Sequence, residues 1–199
     1  MNKLKKIPLF PLNIVVLPKE EIPLHIFEDR YKKMIDNCLE KKLEFGIIYM
    51  KNNNIEDIGC SILISKVLKK HTSGKYDLIC KGSKRFRIKK VYKSNDLWQA
   101  DVEYLNEDYA QINKDYFDKI LDKYLKIIIA VSPNINFQAE LKKNTSFDFT
   151  KNVILPREIK QLFLNLRNEE SRLEFINDFL DSLSTVRDDT KKKQKKILN

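Results

Sequence analysis

Four prolines in the first 23 residues constrain this chain more than any other feature. Proline fixes its own φ and has no N–H for a sheet ladder, so Pro8, Pro11, Pro18 and Pro23 belong at strand starts, edges or bends. The apolar runs they punctuate, residues 7–12 and 22–27, predict a small, sharply bent β-structure rather than a long central strand. A helix comes next. Tyr31, Met34, Ile35, Cys38 and Leu39 recur at helical spacing, with Lys32, Lys33, Asp36 and residues 40–42 turned outward. Glu28 and Asp29 suit the positive end of that helix and the lysines its negative end. Glu28 with Arg30 reads as an orienting salt bridge or cap.

Residues 45–50 read as a buried strand, 51–56 as a polar turn and 58–67 as the next strand. Residues 72–75 turn into a strand over 76–81, and Gly82 marks a bend or bulge. Phe86 and Ile88 then alternate with Arg85, Arg87 and Lys89, which this pattern turns outward. Trp98, Ala100, Val102 and Tyr104 alternate in the same way with Gln99, Asp101 and Glu103. The two opposed charge rows would pair if these strands are neighbours. Six or so short strands with one helix pack most naturally as a closed or nearly closed barrel.

From Ile112 the period is helical, with Tyr116, Phe117, Ile120, Leu121, Tyr124, Leu125 and Ile128 in one stripe. Ser132-Pro133 breaks it. Shorter helices are expected over 135–141 and 147–154. Leu155-Pro156 opens another at Arg157, and Asn168-Glu169-Glu170-Ser171 has the composition of a cap before the last stripe, 173–183. The fold class is thus α+β: a barrel over 1–108, a helical bundle over 109–185, and a basic, disordered tail over 186–199. The lysines of that tail serve solubility.

With 42% hydrophobic and 33% charged residues, the chain reads as a soluble globular protein. No apolar run approaches the about 20 residues that span a bilayer, so no membrane partner is expected. Pro8 and Pro11 interrupt the stretch after the basic N-terminus, which excludes a signal peptide. Cys38, Cys60 and Cys80 are odd in number and set in apolar patterns, as reduced buried thiols of a cytoplasmic protein are. Four glycines leave little room for a phosphate cradle. No Cys or His spacing resembles a metal site, and no nucleophile elbow is present. His25, in an apolar stretch, reads as a satisfied structural histidine. The expectation is no enzyme, no metal and no cofactor.

Certain segments carry a resemblance. Residues 8–12, 23–31, Ile58-Gly59 and 81–88 together resemble the N-terminal substrate-binding domain of the Lon proteases, and Lys160-Gln161 with Arg172-Leu173 resembles that domain's helical end. The similarity runs over 7–184 and is to the free-standing members of the family. It implies a PUA-like β-barrel of about six short strands and one helix, with an α-helical bundle after it. The chain departs from the family pattern at Asp29, where a proline is common, and in the lysines at 66, 69, 70, 75 and 81, which make the barrel edge more basic.

The resemblance implies a non-catalytic module that holds unfolded or partner polypeptides, an adaptor in proteolysis or quality control with a protease or chaperone in trans. Phe10, Leu12, Phe27 and Tyr31 are the peptide-binding candidates, contacting a chain through a groove or an open strand edge. The alternative is RNA or other nucleic acid bound by a basic strand face, with Lys84, Arg85, Arg87 and Lys89 as its candidates.

Overall fold

The computed structural model describes residues 4–94, 97–107, 109, 112–132 and 134–197. Lys3 of the basic N-terminus, Asp108 of the expected boundary and Pro133 of the expected helix break lie outside them. In chain order the elements are β1 (Lys5–Leu12), β2 (Glu21–Ile26), α1 (Asp29–Lys41), β3 (Phe45–Lys51), β4 (Asn54–Ile55), β5 (Ile58–Lys70), β6 (Tyr76–Ser94) and β7 (Leu97–Tyr104). After them come α2 (Lys114–Val131), α3 (Phe137–Glu140), α4 (Ser146–Phe149), a 3-10 turn (Thr150–Asn152), α5 (Arg157–Asn165) and α6 (Glu169–Ile197). The chain divides into two units, Met1–Asn106 with Leu155–Asn165, and Glu107–Ile154 with Leu166–Asn199.

In the first unit β1 pairs antiparallel with β7 and parallel with β3. The pairings β1–β7–β6–β5–β3 therefore return to β1, while β2 adds to β6 and β4 forms a hairpin with β3. The prolines of β1 are accommodated by shared pairing. Residues 5–9 pair with β7 and residues 9–12 with β3, so Pro8 and Pro11 each have one flank without a ladder. A missing N–H costs nothing there. Two strands are long rather than short: β5 has 13 residues and β6 has 19. Register shifts along both allow them to bend.

Alternation along β1 sends Ile7 and Leu9 to one core cluster and Phe10 to another. The first cluster centres on Phe86, and the second packs α1 through Tyr31, Met34, Ile35 and Cys38. Phe86 also explains two of the four glycines. A Cβ on Gly46 or on Gly59 would lie 2.7 Å from its ring, so both strands must be bare where the ring sits. The expected charge pairing between β6 and β7 is present, with Arg87 opposite Glu103 and Lys89 bonded to Glu103 at 2.7 Å.

α5 belongs to this unit, although sequence periodicity groups it with the later helices. Its polar residues are tied to the strands and the loop after β1. Gln161 donates to the Ile58 carbonyl at 3.1 Å, Arg157 to that of Asn13 at 3.2 Å, and Lys160 pairs with Glu20. From β6, Arg85 donates to the Leu164 carbonyl at 2.7 Å. Arg85 is consequently 1% exposed, which corrects its expected outward position. Strand alternation places it beside its charged neighbours, but the carbonyl it reaches lies 79 residues later in the chain.

In the second unit α2 is capped by Asn113, whose side chain accepts from the Tyr116 N–H at 3.0 Å. Phe117, Ile120, Tyr124, Leu125 and Ile128 of α2 are buried, as are Phe147 and Phe149 of α4 and Leu173, Ile176 and Leu180 of α6. Lys123 joins Asn177 and Asp181 across α2 and α6, both at 2.7 Å. The helices expected over 135–141 and 147–154 are single turns, α3 and α4 with its 3-10 extension. Asn168 caps α6 as its composition suggests, accepting from the Ser171 N–H at 2.9 Å. The α6 backbone continues through 186–197, the stretch expected as a disordered tail. Lysine and glutamine are good helix formers, and elongating an existing helix needs no new nucleus.

All three cysteines are buried free thiols. Burial pushes the Cys38 thiol up to about 11 and Cys80 up to about 12, and raises Cys60 as well. The thiolate is the reactive species. At pH 8 the folded chain is therefore expected to resist iodoacetamide at all three positions and to take up three equivalents in urea. Modification of the folded chain at the unfolded rate would contradict this burial.

Candidate functional site

Beyond the closed pairings, β2, the first half of β6 and the second half of β5 form a three-stranded ribbon. β2 pairs residue for residue with β6, from Glu21 opposite Lys81 to Ile26 opposite Tyr76, and among the described strands it pairs with no other. Its outer edge is therefore an unpaired row of backbone donors and acceptors, interrupted at Pro23. Such an edge can accept a further strand. The second half of β5 has lysines at 66, 69 and 70, all exposed, and like-charged lysines discourage indiscriminate pairing.

At the end of β2 the apolar pattern spills into solvent. Phe27 is 57% exposed and stacks on the His25 ring at 6.0 Å between centroids. His25, read as a satisfied structural histidine, is exposed on the outer side of the strand. Its Nδ1 bonds Asp77 Oδ1 at 2.6 Å, and His71 Nε2 bonds Asp77 Oδ2 at 2.7 Å. The two imidazoles, His25 first, hold the Asp77 carboxyl below the usual carboxylate range. Period-two alternation on β2 turns Ile22, Leu24 and Ile26 toward α1 and leaves Glu21, Pro23 and His25 outward.

The other three peptide candidates are less accessible. Phe10 is 8% exposed and Tyr31 5%, their rings packed at 4.1 Å, and Leu12 is half-buried against the same core. Of the nucleic-acid candidates, Lys84, Arg87 and Lys89 are exposed, Lys84 lying over the Tyr104 ring. Arg85 is withdrawn beneath α5 and Lys89 is paired with Glu103. Sequence reasoning missed His71 and Asp77. The one available signal is that the hairpin 71–77 has a histidine and an aspartate at its two ends.

In the second unit a cavity of about 200 Å³ opens among Ile112, Asn113, Tyr116, Asn168, Glu170 and Leu173. It is smaller than the ~300 Å³ and upward of ordinary ligand clefts.

The chain is α+β, with an open strand edge and an exposed aromatic beside it, a geometry of the kind that can take up a further strand. The family model of the ATP-dependent protease La (LON) substrate-binding domain matches residues 6–182, and the chain belongs to that family. Lon protease 2 of Syntrophobacter fumaroxidans is 26% identical over 113 residues, 52% of this chain. Those residues are 14% of that relative's length, so the chain corresponds to a small part of it. Two solved structures share the fold. The Lon N-terminal domain protein from Xanthomonas campestris superposes with a TM-score of 0.69 at 20% identity, covering 86% of this chain and 96% of that one. The N-terminal domain of the Mycobacterium avium complex Lon protease gives 0.71 at 14% identity, covering 89% and 98%. No helix among the described residues is long and apolar enough to cross a membrane.

Proposed function

We propose that this chain is a non-catalytic module, a PUA-like barrel with a helical bundle, that binds unfolded or partner polypeptides and acts in the cytoplasm as an adaptor in proteolysis or quality control. A protease or chaperone is the partner to which it would deliver them. The observation that carries this reading is the open edge of β2 ending in exposed Phe27, within a substrate-binding-domain family. A bound segment would add as a strand along β2, using main-chain hydrogen bonds for affinity and Phe27 for an apolar contact. Pro23 removes one donor from the edge, which limits endless strand addition. Three buried free thiols suit a reducing compartment.

Site-specific photo-crosslinking tests this. A benzophenone side chain at position 27 is expected to capture an alkylated, permanently unfolded polypeptide, and one at exposed Val131 is not. Phe27→Ala should weaken binding about tenfold, the contribution of one exposed aromatic contact. Raised salt should leave apolar binding intact, whereas binding to phosphates would fall steeply. Equal capture at both positions, or unchanged affinity of Phe27→Ala, would remove the β2 edge from the reading.

A further inference from the structure

We infer that His25, His71 and Asp77 form a binding site for a divalent transition metal, zinc being the best match. The chain has two histidines, and both converge on one carboxylate. Their donor atoms all lie within 4.8 Å of one another, and no other His, Cys, Asp and Glu group among the described residues meets that geometry. Two imidazole nitrogens and one carboxylate oxygen make a donor set that suits zinc, cobalt, nickel and copper, and suits magnesium or calcium poorly. Three protein ligands leave one tetrahedral position to water or to a donor from a partner.

The backbone holds these ligands before any metal arrives. His25 on β2 and Asp77 on β6 are direct cross-strand partners. His71 sits at the start of the β5–β6 hairpin turn, where its N–H donates to the Lys75 carbonyl and its own carbonyl accepts from Gly74, both at 2.9 Å. Gly74 takes φ +77°, a conformation glycine adopts without strain. From α1, Lys32 donates to the Ser73 carbonyl at 3.2 Å and steadies the same turn. Little conformational entropy remains to be lost when the site closes. The N···O separations of 2.6 and 2.7 Å are hydrogen bonds. One metal at ligand distances of about 2.0–2.2 Å holds tetrahedral donors roughly 3.4 Å apart, so each His–Asp separation opens by about 0.7 Å as both imidazoles turn to the shared ion. Half-exposed side chains at a hairpin end can make that movement.

The inference is independent of polypeptide binding at β2 and has its own readout. A tag-free full-length chain is titrated with cobalt(II) alone and with zinc(II) in competition. One equivalent of cobalt should produce visible d–d bands with no near-ultraviolet thiolate charge-transfer band, which separates this site from the three cysteines. Zinc should abolish those bands and raise the melting temperature. His25→Ala, His71→Ala and Asp77→Asn should each weaken binding at least about tenfold, since even partners one shell away from a metal are worth that much. Circular dichroism confirms that the variants fold. Absence of cobalt bands in the parent chain overturns the inference, and so does unchanged affinity in a folded His25→Ala/His71→Ala double variant.

Discussion

Replacing Arg172 by alanine is expected to destabilise the helical unit by about 3–5 kcal/mol, the cost of removing one partner from a buried ion pair. Arg172 is 0% exposed. Its guanidinium donates to Glu169 at 2.8 and 3.1 Å, to Glu107 at 2.5 Å, to the Ser146 hydroxyl at 3.1 Å and to the Leu166 carbonyl at 3.3 Å. It also lies over the Phe147 ring at 4.8 Å. Glu169 in turn accepts from the Ser146 N–H and hydroxyl at 2.5 and 2.7 Å, which fixes the start of α4. Without the arginine, a buried carboxylate faces neutral donors alone. The urea midpoint should fall accordingly, and the double variant Arg172→Met/Glu169→Gln should recover part of the loss because the fully buried Glu169 no longer carries an unpaired charge. A midpoint unchanged in Arg172→Ala would show that the network contributes nothing net.

Gly82→Ala is expected to cost about 3 kcal/mol, the upper end of the usual range for overpacking. A Cβ at this position would sit 2.1 Å from the Leu17 carbonyl oxygen, a backbone atom with no rotamer to change. The obstruction matters because residues 17–20 are locked to Gly82. The Lys19 N–H donates to the Gly82 carbonyl and the Gly82 N–H to the Glu20 carbonyl, both at 2.8 Å. The Leu17 N–H is held by Glu20 at 2.9 Å, and Glu20 pairs with Lys160 of α5. Pro18 and Lys19, the latter at φ +68°, turn the chain here. Moving Leu17 aside would therefore disturb both the turn and the helix seated on it. The thermal midpoint measures the effect, and a variant as stable as the parent would mean the turn can shift freely.

These two sites differ in how far the sequence announces them. Gly82 reads as a bend or bulge, and a register shift does fall beside it, between the pairs of Cys60 and Ile62. The reason for glycine is different: another segment's carbonyl lies where a side chain would be. Arg172 stands out in the sequence only through a family resemblance. Its hydrogen-bonding partners come from positions 107, 146, 166 and 169, and no local pattern links them. Glu169 reads as part of a helix cap, a role Asn168 fills, so that Glu169 turns inward instead.

The candidate site divides the same way. Phe27 comes directly after an alternating strand and is legible as a candidate, but so are Phe10 and Tyr31, which are core residues. Apolarity alone does not say on which side of a backbone a ring ends up. His25 stands among apolar neighbours in the sequence. The strand pleat turns it outward, between two inward-facing residues.

By itself the sequence determined the α+β class, the amphipathic stripe of α1, the alternating strands β6 and β7 with their matched charge rows, and family membership. Each rests on local periodicity or on motifs in order, which are properties of neighbouring residues. Tertiary structure alone decided that the strand pairings return to β1, that α5 joins the strand unit, that Arg85 is buried, and that His25, His71 and Asp77 meet. Those outcomes depend on contacts between residues 6 to 144 positions apart, and a one-dimensional pattern carries no term for such distances.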